Sequence, residues 1–292
     1  MVILSNPRAG HGSGGRRVEA LRRGIEQRGL DCTVVCTERP GHATELARRE
    51  VASGHPRFAV MGGDGTIAEV VNAIVGSDIE LGVIAMGTGN DVARSLGLPI
   101  NDLEAGLEVA LTGASRPIDV GRERDRHFIS VLGLGFPSVV AAATNTMTWL
   151  KGSPAFFVAV YQGLHRLRAI PMRITLDDRT IELDAVAVLV QNTPYTGGGL
   201  HMAPQAAVDD GVLDVVVVER IGRLSLMLNF PKAYWGRHFD HPSFAVYRSR
   251  TVRIETDESL PKMFDGDLCG STPVEASVIP GGVRLVVGRA AA

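Results

Sequence analysis

Three glycine-rich turns carry the residue types best suited to chemistry: NPRAGHGSGG at 6–15, GGDGT at 62–66 and GTGND at 87–91, each directly after a short apolar run. Glycine lets the main chain come close to an anion, and successive amides ahead of a helix N-terminus supply positive potential without any lysine. The ligand this implies is a phosphate chain. Asp64, inside the second turn, would repel such a ligand by several kcal/mol. A Mg²⁺ ion, bound directly or through water, would remove the conflict. The structural alternative is that Thr66 and Glu69 form an S/T-x-x-E capping box, with Asp64 a turn residue.

Other patterns compete for attention. Gly10, Gly12 and Gly15 match G-x-G-x-x-G, with Asp31 or Glu38 at about the ribose-binding distance, which leaves a dinucleotide-dependent oxidoreductase open. The P-loop pattern is missed, because Arg16 and Arg17 stand where lysine and Ser/Thr belong. In DDGVLDVVVV, Asp210-Gly211 reads as a turn before a buried strand. In FDGD, Asp267 offers a carboxylate in a tight turn, suited to take a proton during phosphoryl transfer, with Asp265 its nearest competitor and an ordinary acidic turn the plain alternative. His238 and His241 stand three apart without a third ligand, so loop or surface histidines are expected rather than zinc. Cys32 and Cys36 alternate along a strand and should face its core. With Cys269 they make an odd set of reduced thiols, not a disulfide framework.

The elements that must position these residues follow from hydrophobic spacing. A chain of 292 residues and 31.1 kDa is expected to form two packed units. Over residues 1–120, MVIL, CTVVC, FAVM and LGVIAM alternate with helical patterns such as Val18-Leu21-Ile25 and Ile67-Val70-Val71-Ile74. Further helices are expected at Ala43 to Val51, Asp91 to Leu96 and Leu103 to Leu111. This βαβ rhythm predicts a doubly wound, mostly parallel α/β sheet, whose strand C-termini share one edge, so the three turns should converge. Residues 121–292 read as a β-rich domain built from HFISVLGL, MRITLD, IELDAVAVLVQ, VLDVVVVE, FAVYRSRTVRIET and VRLVV. Helical segments around Met147 to Leu167 and Leu224 to Tyr234 interrupt it, and the last segment has the option of packing back on the first domain.

The totals exclude several classes. A formal charge of -2 and the lack of a basic stripe with interleaved aromatics argue against nucleic acid. MVILSNP has no signal-peptide pattern. The apolar stretch from Val139 to Tyr161 is broken by Lys151, Gly152 and Pro154, so no spanning helix is expected and a cytoplasmic protein with at most peripheral membrane contact is implied. Arg166, Arg168 and Arg173 either meet anionic headgroups or form a solvated face. TMTWLKGSPAFFVAVY is either the wall of an apolar cleft for acyl chains or plain core.

NPRAGHG, GGDGTIAEVVN, MGTGNDVAR, PYTGGGLHMAPQAAVDDGVLDV and FDGD occur in the order and at about the spacing of the bacterial diacylglycerol kinase family, which the chain resembles over nearly its whole length. That family groups with sphingosine kinases and, more distantly, NAD kinases. The resemblance implies an NAD-kinase-like first domain and a β-sandwich second domain. It implies ATP at Asn6, Pro7, Arg8, Ala9, Gly10, Thr37, Gly63, Asp64, Gly65, Thr66, Ile67, Ala68, Glu69 and Thr88. It also implies Mg²⁺ on the Asp210 side chain with main-chain oxygens near Ala207 and Val212. Asp267 falls at the proton acceptor, usually a glutamate, and Asp64 is the second candidate catalytic carboxylate. The reaction implied moves the γ-phosphoryl group of ATP to a lipid hydroxyl at the membrane surface, diacylglycerol to phosphatidic acid in the simplest case. Another lipid alcohol, such as a sphingoid base or phosphatidylglycerol, or NAD, remains an alternative acceptor, and an inactive ATP- or lipid-binding protein an alternative role. A homodimer is compatible with the resemblance. Ala68, Met86, Ser130 and Pro137 depart from the family pattern; the last two, standing for an asparagine and an aspartate, bear on the acceptor rather than on ATP.

Overall fold

The structure, a computed structural model, describes residues 1–9, 14–147, 150 and 153–288. The chain forms two compact units, Met1–Asp119 with the residues from Gly281 onward, and Val120–Pro280.

In the first unit, β1 (Val2–Ser5), α1 (Gly14–Gln27), β2 (Thr33–Cys36), α2 (His42–Ala52), β3 (Arg57–Gly62), α3 (Asp64–Ile74), β4 (Glu80–Ala85), α4 (Asp91–Ser95) and α5 (Leu103–Thr112) follow in order. The strands pair in parallel as β4-β3-β1-β2. Helices cover both faces, so the strands are apolar throughout rather than alternating. Ile3, Ala59, Met61 and Ile84 join Val18, Leu21 and Ile25 of α1 and Leu107 and Ala110 of α5 in one core, while Leu4, Phe58 and Val60 are equally buried. Cys32 and Cys36 pack against that core as half-buried free thiols.

The second unit continues from β5 (Ala114–Glu123) through β6 (Arg126–Phe128), β7 (Val131–Gly135), α6 (Phe136–Thr146), α7 (Ser153–Gly163), β8 (Ile170–Thr175), β9 (Thr180–Gln191), β10 (Leu213–Glu219), α8 (Arg223–Asn229), β11 (Phe244–Ser249), β12 (Thr251–Glu255), β13 (Pro261–Phe264), β14 (Asp267–Ser271) and β15 (Val274–Val287). Its pairings are antiparallel, in the order β14-β13-β7-β9-β8-β12-β15, with β10 between β9 and β11. Strand β9 is buried on both sides: Val188 and Val190 face one apolar core, and Ala187 and Leu189 face another that takes in Leu164, Leu226 and Ala233. Among the described residues no helix is long and apolar enough to cross a membrane.

Several elements differ from the sequence expectation, each for a local reason. HFISVLGL splits into β6 and β7 because the amides of Ile129 and Ser130 turn toward the Asp265 carboxylate. FAVYRSRTVRIET splits at Arg250, whose amide, with that of Thr251, is taken by Asp177. VRLVV is the end of the 14-residue β15 and pairs in parallel with β4, Leu285 opposite Leu81. The helix expected from Met147 to Leu167 is α7 followed by a 3-10 turn at Leu164–Arg166, and residues 148, 149, 151 and 152 lie outside the described residues.

His238 corrects the expectation of a surface histidine. It is fully buried, 0% exposed, beside Phe239 and Phe244, and its Nε2–H donates to the Met202 carbonyl at 3.2 Å. Burial pushes its imidazole down to about 4. In the unfolded chain it titrates near 6.5, so below that pH the unfolded state binds a proton that the folded state refuses, and stability falls as pH drops from 6.5 toward 4. Urea denaturation should show a loss of about 2 kcal/mol between pH 6.5 and 5. His238→Phe should flatten that slope; an unchanged slope would assign it elsewhere.

Candidate active site

The three glycine turns follow β1, β3 and β4, which are neighbours in one parallel sheet, so all three leave the same edge. Their contact is direct. A Cβ built on Gly87 would stand 2.4 Å from the Gly63 Cα, and one on Gly63 would stand 3.1 Å from the Gly87 Cα. Only two glycines allow the second and third turns to touch main chain to main chain. The first turn joins through Asn6, whose Nδ2 donates to the Thr66 Oγ1 at 3.0 Å while its Oδ1 accepts the Arg8 amide at 2.9 Å. Thr37, at the end of β2, is buried and donates its amide to the Ser5 carbonyl at 2.8 Å.

Thr66 lies inside α3, whose N-cap is Gly63, and makes no capping bond. Glu69 instead accepts the Gly41 amide at 3.1 Å, and its carbonyl takes the Thr44 hydroxyl at 3.0 Å. The capping-box alternative is therefore removed. The first-turn amides of α3, from Asp64 and Gly65, have no acceptor within the helix. Ile67 is fully buried, Ala68 half-buried and Gly65 exposed, so only main chain and small groups of this turn are available to a ligand. Thr88 is exposed in the third turn. Gly10, with Gly12 of the G-x-G-x-x-G match, lies outside the described residues.

Asp64 does more than the sequence suggested. Its Oδ1 accepts the Val92 amide at 3.2 Å, tying the second turn to α4. Burial pushes its carboxyl up, and the amides of Val92, Asn90 and Asp91 oppose that shift. Sequence reasoning also missed three supports. Asn90 is fully buried with φ 53°, its Oδ1 accepting the Gly87 amide at 2.8 Å and its Nδ2 donating to the Gly87 carbonyl at 3.0 Å. Arg17 of α1 donates to the Met86 carbonyl. Gly14 admits the Pro7 carbonyl, 2.1 Å from where a Cβ would be. GTGND held a usable signal for Asn90, since asparagine tolerates the left-handed region. Nothing in spacing pointed to Arg17.

In the second unit the FDGD turn separates its two aspartates sharply. Asp265, at φ 48°, accepts the amides of Ile129 at 2.9 Å, Ser130 at 2.8 Å and Val131 at 2.9 Å. It is committed to holding β7. Asp267 opens β14 with its side chain 72% exposed, and the Arg126 guanidinium stands 3.9 Å from its Oδ2 and over the Phe264 ring at 5.1 Å. Asn145 of α6 donates to the Gly266 carbonyl at 3.1 Å. Pro137 occupies the first turn of α6, where no amide is needed, and the Ser130 hydroxyl is buried without a hydrogen-bond partner among the described residues. Asp265→Asn should keep the shape but weaken three charge-assisted bonds, lowering stability by roughly 2 kcal/mol in urea denaturation. No change would mean that these amides find other acceptors.

Beside β10, Asp210 accepts the Val212 amide at 3.2 Å and pairs with Arg248, whose Nε lies 3.9 Å from the buried Asp214. Asp214 Oδ1 has no hydrogen-bond partner among the described residues, and burial pushes that carboxyl up to about 6. Carboxylate oxygens with an orphaned acceptor among them are the hard donors that a divalent cation such as Mg²⁺ takes, so Asp210 and Asp214 suit it in donor type, while in this structure the Arg248 guanidinium occupies the Asp210 carboxylate. No cluster of three or more His, Cys, Asp or Glu side chains able to hold a metal occurs among the described residues.

Residues 1–122 match the diacylglycerol kinase catalytic domain, and residues 130–287 match the YegS C-terminal NAD kinase beta sandwich-like domain. The diacylglycerol kinase of Mycobacterium tuberculosis is 32% identical over 98% of this chain and 94% of its own length. That of Bacillus subtilis is 27% identical over 94% and 91%. A solved Bacillus anthracis structure covers 100% of this chain and 96% of its own, with a TM-score of 0.83 at 25% identity. These relatives offer nothing to the oxidoreductase alternative. The chain thus belongs to the diacylglycerol kinase catalytic domain family, lipid kinases that use ATP, and carries the YegS-like β-sandwich as its second domain.

Proposed function

We propose that the protein transfers the γ-phosphoryl group of Mg²⁺-bound ATP to the free hydroxyl of diacylglycerol, giving phosphatidic acid and ADP. The observation that carries the nucleotide half is the main-chain contact of Gly63 with Gly87, joined by Asn6 and Thr66, which lines amides along one strand edge. The naming of relatives along the whole chain as diacylglycerol kinases supports the acceptor.

In this reading the turns after β1, β3 and β4 grip the triphosphate through main-chain amides. Asp267 accepts the hydroxyl proton as the new O–P bond forms and the bond to ADP breaks. Its exposure, with no amide partner among the described residues, suits it to that task, whereas three amides occupy Asp265. Asp210, with the oxygens of Ala207 and Val212, would hold Mg²⁺ as a loop-stabilising ion. When bound with ATP, the cation supplies charge neutralisation near Asp64.

The test offers labelled ATP and Mg²⁺ with diacylglycerol in mixed micelles, with sphingoid base, with phosphatidylglycerol and with NAD. Label should appear in phosphatidic acid. Label in another product alone would replace the acceptor, and label in NAD alone would end the lipid reading.

A further inference from the structure

The second unit carries an exposed apolar surface that nothing in the reaction above uses. On α7, Phe157 and Tyr161 lie one turn apart on the same side and face outward, Tyr161 72% exposed. On α8, Leu224, Met227 and Leu228 do the same, and Trp235, in the 3-10 turn that follows, is 72% exposed. The two segments are joined through Phe157, Tyr234 and Trp235, whose ring centroids follow one another at 6.1 and 6.5 Å. The Phe157 ring meets Phe230 at 6.3 Å and Tyr234 at 6.1 Å, at the C-terminal side of α8. At the other end, Arg223 donates to the His165 carbonyl at 2.9 Å. The segments 153–166 and 223–235 therefore meet at both ends in opposite directions, and both turn large apolar side chains to solvent. A monomeric soluble protein rarely exposes a contiguous patch of this kind without a partner.

Charge identifies the partner. The chain as a whole is balanced, with 32 acidic residues to 30 lysines and arginines. Yet no Asp or Glu occurs between Asp125 and Asp177, nor between Glu219 and Asp240, the two stretches that supply this surface. Of their basic residues, Arg168 and Arg220 are neutralised by Glu258 and Asp184, both at 2.6 Å. Arg166, Arg223, Lys232 and Arg237 pair with no carboxylate among the described residues. An outward row of Leu, Met and Phe, with Tyr and Trp beside it and unpaired Arg and Lys around it, has the composition of an interfacial element that lies on anionic lipid. A two-fold contact with a second copy would bring these cations against themselves.

We infer that the outward faces of α7, α8 and the 3-10 turn at Phe230–Trp235 form the surface by which the protein docks on an anionic bilayer. Leu224, Leu228, Trp235 and Tyr161 enter the headgroup boundary, and Arg166, Arg223, Lys232 and Arg237 meet lipid phosphates. The arginine cluster of the sequence is thereby divided: Arg166 belongs to the docking surface, while Arg168 and Arg173 are held by Glu258 and Glu182. This surface rests on the lipid-kinase reading for its purpose, since such an enzyme must reach a substrate that resides in the membrane, but its test does not need the kinase activity.

The experiment is co-sedimentation of the full chain with vesicles of phosphatidylcholine alone or with phosphatidylglycerol added. Binding should be about tenfold stronger to the anionic vesicles and should fall as salt screens the phosphates. Leu228→Ser with Trp235→Ser, and separately Arg166→Glu with Lys232→Glu, should each weaken binding about tenfold or more while the folded state, read by circular dichroism, is kept. Turnover on a water-soluble short-chain diacylglycerol should stay at the unmutated level. Variants that bind anionic vesicles like the parent would overturn the surface and leave the kinase reading standing. Loss of vesicle binding in a protein that labels no lipid would uphold the surface and end the kinase reading. A dimer in sedimentation velocity that the Leu228→Ser, Trp235→Ser variant dissociates, without any change in vesicle binding, would assign the patch to self-association and overturn the proposal.

Discussion

Asp267→Asn should leave ATP affinity within about twofold of the parent and cut turnover by on the order of 10²–10⁴. An asparagine keeps the shape and the neighbours of the turn but cannot take a proton, so the loss falls on the chemical step alone. Every residue implied in nucleotide binding belongs to the first unit, and Asp267 to the second, which is why the Michaelis constant for ATP should not move. Asp265→Asn is the control that separates chemistry from architecture. It lies two residues away with the same charge, yet its carboxylate is filled by the amides of Ile129, Ser130 and Val131. Its loss should appear in denaturation, whereas loss of Asp267 should not. Asp267→Glu, which restores the residue usual at this place in the family the chain resembles, should keep most of the activity, because the exposed start of β14 has room for one more methylene. Near-normal turnover of Asp267→Asn would show that another group accepts the proton.

The contrast between these two aspartates also marks what the sequence could and could not reveal. FDGD offers both carboxylates on equal terms, and spacing cannot choose between them, because the amides that occupy Asp265 come from residues 134 to 136 positions earlier. The first unit was more legible, since a parallel sheet buried on both faces writes its strands as unbroken apolar runs and its helices as 3.6-residue stripes. MVIL, FAVM and LGVIAM need only local pattern to be recognised, and the convergence of their turns follows from one rule of parallel topology. Strand β5 was missed for the opposite reason: SRPIDVGRE mixes proline, glycine and charges with few apolar residues, so no local hydrophobic pattern marks it, although its end forms a hairpin with β6, Gly121 opposite Phe128, and it also pairs with the distant β15. The stretch TMTWLKGSPAFFVAVY shows a third kind of limit. Of its described residues, Ala155, Ala159 and Val160 are core while Phe157 and Tyr161 face outward, so core alone does not describe it. Hydrophobicity says that a side chain prefers to leave water, not which partner receives it.

Gly87→Ala should weaken ATP binding by at least about tenfold and lower stability by roughly 1–3 kcal/mol, the range for forcing an extra methyl into a filled site. The argument is steric and does not invoke backbone freedom. The added Cβ would sit 2.4 Å from the Gly63 Cα, and also 3.0 Å from the Asn90 Oδ1 that holds the Gly87 amide. Neither neighbour can yield cheaply. Gly63 is main chain at the N-cap of α3, and Asn90 is fully buried with both ends of its amide engaged by Gly87. Relief must therefore come from separating the second and third turns, which pulls the amides of Asp64 and Gly65 away from those of the third turn and strains the Asp64 bond to Val92. A phosphate gripped by several weak main-chain donors needs them within a few tenths of an ångström of one another, so a shift of that size costs most of the grip. The same methyl on Gly65, where a Cβ meets nothing within 4 Å, is the matched control and should change stability little. Equilibrium binding of a labelled ATP analogue to both variants decides the matter: equal, parent-like affinities would mean that the contact between Gly63 and Gly87 does not shape the nucleotide site.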